Sequence, residues 1–139
     1  MRFSVPVVLV LLAVPAFADD KATAEKLKDA KVEVKFDKAG AATSVFCKES
    51  HGLTPEHYQL IASLGSIKEL TLYNKCSLTD ETLALLSGLE KLEKVGIDGA
   101  KFTDAGMKHM AGWKSLKTMT FFHSLNKDGF TGAGVAHLK

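Results

Sequence analysis

The chain has 139 residues, 46% of them hydrophobic and 24% charged, with a formal net charge of +2. That is one domain's worth of chain, able to bury about 65% of its unfolded surface and so to hold a real core. Arg2 is its single arginine, and beyond residue 18 there are 17 lysines against 16 acidic residues, so no basic excess and no guanidinium fork points to nucleic acid as a partner.

The chain opens with "MRFSVPVVLVLLAVPAFA". One early positive charge, an apolar run from Val5 to Val14 and small residues at Ala16 and Ala18 predict a secretory signal over residues 1–18, cleaved after Ala18. The apolar run is too short to span a bilayer of about 30 Å as a helix, and Pro6 and Pro15 interrupt it. No cysteine follows it, which argues against a lipid anchor. The expectation is an exported protein, periplasmic or extracellular, with no membrane span after cleavage.

Residues 19–41 predict an N-terminal cap. "ATAEKLKDA" is rich in helix formers. "VEVKF" alternates, with Val32, Val34 and Phe36 on one side, and Asp37-Lys38-Ala39-Gly40 reads as the turn to a strand over 43–47. A helix and hairpin there would cover the open core of the first repeat.

From Ala42 the chain is tiled. "AATSVFCKESHGLTPEHYQLIASLGS" (41–66), "IKELTLYNKCSLTDETLALLSGLEK" (67–91), "LEKVGIDGAKFTDAGMKHMAGWKS" (92–115) and "LKTMTFFHSLNKDGFTGAGVAHLK" (116–139) align column by column. Their heads, Ala42, Ile67, Leu92 and Leu116, are 25, 25 and 24 residues apart. Two further strand columns read Val45, Leu70, Val95, Met119 and Cys47, Leu72, Ile97, Phe121, the period-2 pattern of a half-buried strand. Leu53, Leu78, Phe102 and Phe130 form the next column, each followed by a threonine placed to cap a helix. Pro55, Asp80 and Asp104 suit the first helical turn. The helices should bury residues three apart: Tyr58, Ile61, Leu64; Leu83, Leu86, Leu89; Met107, Met110, Trp113; Val135, Leu138. Phe130 comes 28 residues after Phe102, so the fourth tile carries an insertion within "FHSLNKDGF".

A period in the twenties headed by L-x-x-L-x-L is the leucine-rich-repeat signature. "LTDETLALLSGLEKL" and "FTDAGMKHMAGWKSL" resemble the short repeats with a Thr-Asp-x-Gly-like core of exported bacterial leucine-rich-repeat proteins, notably of planctomycete type. That resemblance, over 42–139, implies an α/β fold. It would be a right-handed leucine-rich-repeat solenoid of about four repeats of 24 to 28 residues, with parallel strands on a concave face and short helices on a convex one. It also implies a protein-interaction surface. The chain stops at Leu138-Lys139, inside the fourth tile's helix, so either the C-terminal edge associates with another molecule or the chain is part of a longer repeat protein.

Side chains between the buried columns should line the concave face: Ser44, Glu69, Lys94, Thr118; Phe46, Thr71, Gly96, Thr120; Lys48, Tyr73, Asp98, Phe122. Phe46, Tyr73 and Phe122 are aromatic where solvent is expected, beside the charged Lys48, Glu69, Lys94 and Asp98; that composition suits a partner-binding patch, or edge rings resting on a loop. His51 and Cys76 are one period apart, and His57 and His123 could approach, but too few ligands converge for a structural zinc site, and no cofactor is expected. Cys47 and Cys76 are placed too far apart for an easy disulfide, which favours buried free thiols without deciding the matter. G-x-S-x-G, H-E-x-x-H, phosphate-loop and C-x-x-C motifs are absent. The sequence therefore predicts a noncatalytic interaction module working through its concave face. Its rivals are a self-associating unit with Phe121, Phe130 and Leu138 at a bare C-terminal edge, and a glycan binder using the aromatics.

Overall fold

The computed structural model describes residues 18–123 and 129–138. The signal sequence, but for Ala18, and the centre of the fourth-tile insertion lie outside the described residues. Helix α1 (Ala18–Leu27) leads through a 3-10 turn at Lys28–Ala30 into β1 (Val32–Phe36) and β2 (Ala42–Cys47). Next come α2 (Pro55–Ser63), β3 (Glu69–Leu72), α3 (Asp80–Leu85), β4 (Lys94–Asp98), a 3-10 segment at Gly106–Gly112, β5 (Thr118–Phe122) and a 3-10 segment at Ala133–Leu138.

The strands form one five-stranded sheet in the order β1-β2-β3-β4-β5, in which β1 and β2 are antiparallel and the other pairs parallel. This corrects the leucine-rich-repeat solenoid expected from the period: the architecture is a small α/β domain on a mixed sheet. Two physical causes separate it from the expectation. The connection from β1 to β2 is a short turn, closed by the Asp37 carboxylate accepting the Ala39 and Ala41 N–H groups and by Gly40 at φ +91°; only an antiparallel partner is reachable across so few residues. The covering segments also fail to repeat one helical unit. Those of the third and fourth tiles are 3-10 rather than α, and they carry Gly106, Gly112 and Gly134, poor helix formers. At these positions the segments press on their neighbours: a Cβ on Gly112 would strike the Ser87 carbonyl, and one on Gly134 would sit 2.7 Å from the Asp104 carbonyl oxygen and the Met107 sulfur.

Between the parallel strands the register is one tile. Leu70 pairs with Val45 and Val95, and Leu72 with Cys47 and Ile97. The inward columns are buried: Ala42, Val45, Cys47, Ile67, Leu70, Leu72, Leu92, Val95 and Ile97 meet Tyr58, Ile61, Leu64, Leu83, Leu86, Leu89, Met107, Met110 and Trp113 from the helical side. Each large apolar side chain so buried contributes about 1.5–3 kcal/mol. The Trp113 indole N–H donates to the Leu86 carbonyl at 2.8 Å, so the ring is satisfied as it is buried. In the fourth tile Leu138 packs half-buried against the core as expected, but Val135 does not. Val135 is exposed and Gly134 takes the buried place, because the backbone approaches too closely there for a side chain.

The cap threonines divide into two kinds. Thr79 behaves as expected, exchanging hydrogen bonds with Thr82. Thr103 and Thr131 use the hydroxyl as a donor to the preceding tile, although the Thr131 oxygen also accepts from the Ala133 N–H at the start of its own segment, at 3.3 Å. Thr103 donates its N–H and hydroxyl to the Asp80 carboxylate, both at 2.7 Å, and Thr131 does the same to Asp104, which also accepts from Gly132 and Gly134 N–H. A carboxylate on the preceding tile is the stronger acceptor. Asp80 stands in the first turn of α3 as expected, and it and Asp104 also act as clasps between successive tiles.

The hydrogen bond from the Thr131 hydroxyl, reinforced by backbone N–H groups, holds the Asp104 carboxyl below the ordinary aspartate range. A lowered folded-state value stabilises the fold above the unfolded value of about 4, and that contribution is lost as pH falls through the folded value. Asp104→Ala should therefore lower the melting temperature at about pH 7, with the gap to wild type narrowing toward about pH 3. Thermal melts across that range check it; a gap independent of pH would show that the clasp does not depend on the charge.

Candidate functional site

Among the described residues, burial of the alternate positions leaves the other face of the sheet without a helical cover. It carries Glu33 and Lys35 from β1, Ser44 and Phe46 from β2, Glu69 and Thr71 from β3, Lys94, Gly96 and Asp98 from β4, and Thr118, Thr120 and Phe122 from β5. Lys48 and Tyr73 come one residue after β2 and β3 respectively, and both are exposed.

Three aromatic rings run across this face. Phe46 and Tyr73 meet edge-to-face with centroids 5.7 Å apart and planes at 85°, and Tyr73 and Phe122 at 6.3 Å and 65°. Tyr73 and Phe122 nevertheless keep 38% and 43% of their surface exposed, while Phe46 is half-buried. The rings thus touch one another while staying partly in solvent. Gly96, in the register row of Phe46, Thr71 and Thr120, adds no side chain to the middle of the face; a Cβ there would meet only Thr71, at 3.6 Å. The face is thus ridged by aromatics and notched at Gly96.

The charged residues frame the rings. Lys94 Nζ lies 3.2 Å from Glu69 Oε1, an exposed pair worth about 0–1 kcal/mol and useful for alignment more than for stability. Asp98, beside Phe122 in the register, lies 3.1 Å from His123 Nδ1. His123 is exposed and held at φ +42°, in the left-handed region that Asn74 (φ +66°) and Gly99 (φ +71°) occupy at the ends of β3 and β4. Glycine, asparagine and histidine all tolerate that conformation better than most residues. Spacing does not mark His123 as a neighbour of the aromatic row, because the left-handed position repeats while the residue type does not.

The other expected groupings fall apart. His51 is exposed, 3.6 Å from Glu49, while Cys76 is buried with its sulfur 3.5 Å from the Tyr58 hydroxyl. His57 bonds Thr54 and His123 bonds Asp98, so those two histidines are not brought together. Among the described residues, no cluster of three or more metal-ligating side chains forms. Phe121 and Phe130 pack with the buried Phe102 in a three-ring cluster with centroids 5.2 to 5.6 Å apart, while Leu116, Met119 and Leu138 are half-buried against the core. No helix among the described residues is long and apolar enough to cross a membrane.

Neither a family model, a curated protein nor a solved structure matches the chain.

Cys47 and Cys76 are free and fully buried, and burial pushes both thiols up. The Tyr58 hydroxyl, bonded to Ser77 at 3.0 Å and to Cys76, is likewise pushed up by burial. Buried, protonated thiols are poor nucleophiles. A disulfide-exchange reagent should leave both cysteines unreacted in the folded protein and titrate both after denaturation. Rapid reaction of either thiol in the native state would contradict their placement.

Proposed function

We propose that this chain is an exported, noncatalytic interaction protein that binds a protein partner across the open face of its sheet. The carrying observation is the row Phe46–Tyr73–Phe122, three rings left partly in solvent on a face otherwise made of short polar and charged residues. Aromatics exposed in this way cost hydration that a partner would recover, and tyrosine loses little side-chain entropy when it is covered. Lys48, Glu69, Lys94 and Asp98 supply the polar rim. The edge-to-face ring geometry suits a partner with side chains of its own to insert between rings. A sugar ring stacks on one flat aromatic face. Export rests on the leader-like residues 1–18.

Peptides selected by display against the full chain should bind it and lose about 30-fold or more in affinity to Tyr73→Ala, as expected of a central hot-spot residue. Phe122→Ala should weaken the same ligands, and Val135→Ala, on the helical side, should not. Ligands indifferent to both aromatic substitutions would move the site elsewhere. A barren peptide selection beside a positive glycan screen would replace the protein partner with a sugar.

A further inference from the structure

The sheet has a second usable feature, its β1 edge. Among the described residues no strand pairs with the outer side of β1. The Thr43 and Cys47 carbonyls accept from Lys68 and Tyr73 N–H, so these β2 residues turn their backbone groups toward β3, and the alternate residues Ser44 and Phe46 turn theirs toward β1. Their partners Lys35 and Glu33 must then bond inward, which leaves the N–H and C=O groups of Val32, Val34 and Phe36 directed outward. The register irregularity beside Lys35 and Phe36 puts the extra residue, Thr43, on β2, so β1 itself stays regular.

The residues on that edge are self-complementary. Read as an antiparallel pair with a second copy, Val32-Glu33-Val34-Lys35-Phe36 about a two-fold axis at Val34 sets Val34 against Val34, Val32 against Phe36 and Glu33 against Lys35, twice. Pairs built on outward-facing residues are the hydrogen-bonded ones, so each Glu33–Lys35 couple falls at a non-hydrogen-bonded position, where side chains stand closest. Both residues are exposed, and among the described residues neither forms an ion pair within the chain. On the other side of the strand, Phe36 is 36% exposed and Val34 half-buried, beside a trough between β1 and α1 floored by Ala24 and Val32. The opposing Phe36 would enter that trough.

We propose that β1 is a homodimerisation edge, pairing antiparallel with β1 of a second copy. The contact is isologous, so it closes at two copies instead of growing into a filament. It satisfies the unpaired strand groups that an exposed edge otherwise offers to any extended chain. It also joins two open faces into one continuous sheet, placing two aromatic rows on the same side.

Sedimentation of the full chain across a concentration series tests this with a charge swap. The wild-type protein should dimerise. Glu33→Lys sets lysine against Lys35 in both symmetry-related pairs, and Lys35→Glu sets acid against Glu33; each variant alone should dissociate at least about tenfold more readily. Mixed in equal amounts, the two variants should restore a dimer, because every opposed pair is then attractive. Both substitutions are on the surface, and unchanged far- and near-ultraviolet circular dichroism spectra confirm that folding is intact. A wild-type chain that stays monomeric overturns the proposal. So does a dimer indifferent to both substitutions, which would place the contact elsewhere.

Discussion

Everything in this structure depends on one constraint: from β2 to β5, each strand pairs with the next one tile along, in parallel. Strand side chains alternate with a period of two, so a slip of a single residue would turn every inward column out to water. The register is held from both sides. Inside, leucine, valine and isoleucine stack in columns beneath α2, α3 and the 3-10 segments. At the rim, Asp80 and Asp104 fasten the second and third tiles to the threonine that opens the next covering segment. Backbone bonds such as Lys68 to Thr43 and Lys117 to Glu93 do the same at the strand entrances.

The same constraint explains how the open face is patterned. Once one set of alternate residues is committed to the core, the other set is placed in rows on the bare face by the pairing itself. Phe46, Tyr73 and Phe122 come from three different strands or strand ends, far apart in sequence, and touch because the tiles are in register. Asn74, Gly99 and His123 stand at matching positions just beyond their strands and take left-handed backbone conformations there.

The periodic part of the fold is legible in the residues. The columns, the approximate strand positions and the alternation of the open face follow from spacing alone. The architecture is not, for a local reason: column spacing reports which residues share a row, not whether the first strand runs with or against the second. Asp37 to Gly40 decide that, through a turn too short for a crossover. Helix type is also hidden. Leu83, Leu86 and Leu89 and Met107, Met110 and Trp113 have the same three-residue spacing, yet one set leads off an α-helix and the other belongs to a 3-10 segment with glycines at its contact points. At Val135 the same spacing misleads outright, since Gly134 is the residue that fits against Met107. In β1 the alternation marks the valines as inward-facing. The charges between them, Glu33 and Lys35, gain a meaning only because the strand lies at the sheet edge.

The central claim is that the sheet has one buried and one bare face, the bare one carrying the aromatic row. The chain's two tyrosines report on it directly, since Tyr58 is fully buried on the helical side and Tyr73 is exposed on the open side. Native-state chemical labelling of tyrosine, read by peptide mass spectrometry, should modify Tyr73 readily and leave Tyr58 untouched until the protein unfolds. Comparable labelling of both residues in the folded protein, or protection of Tyr73 in the isolated monomer, would contradict the account.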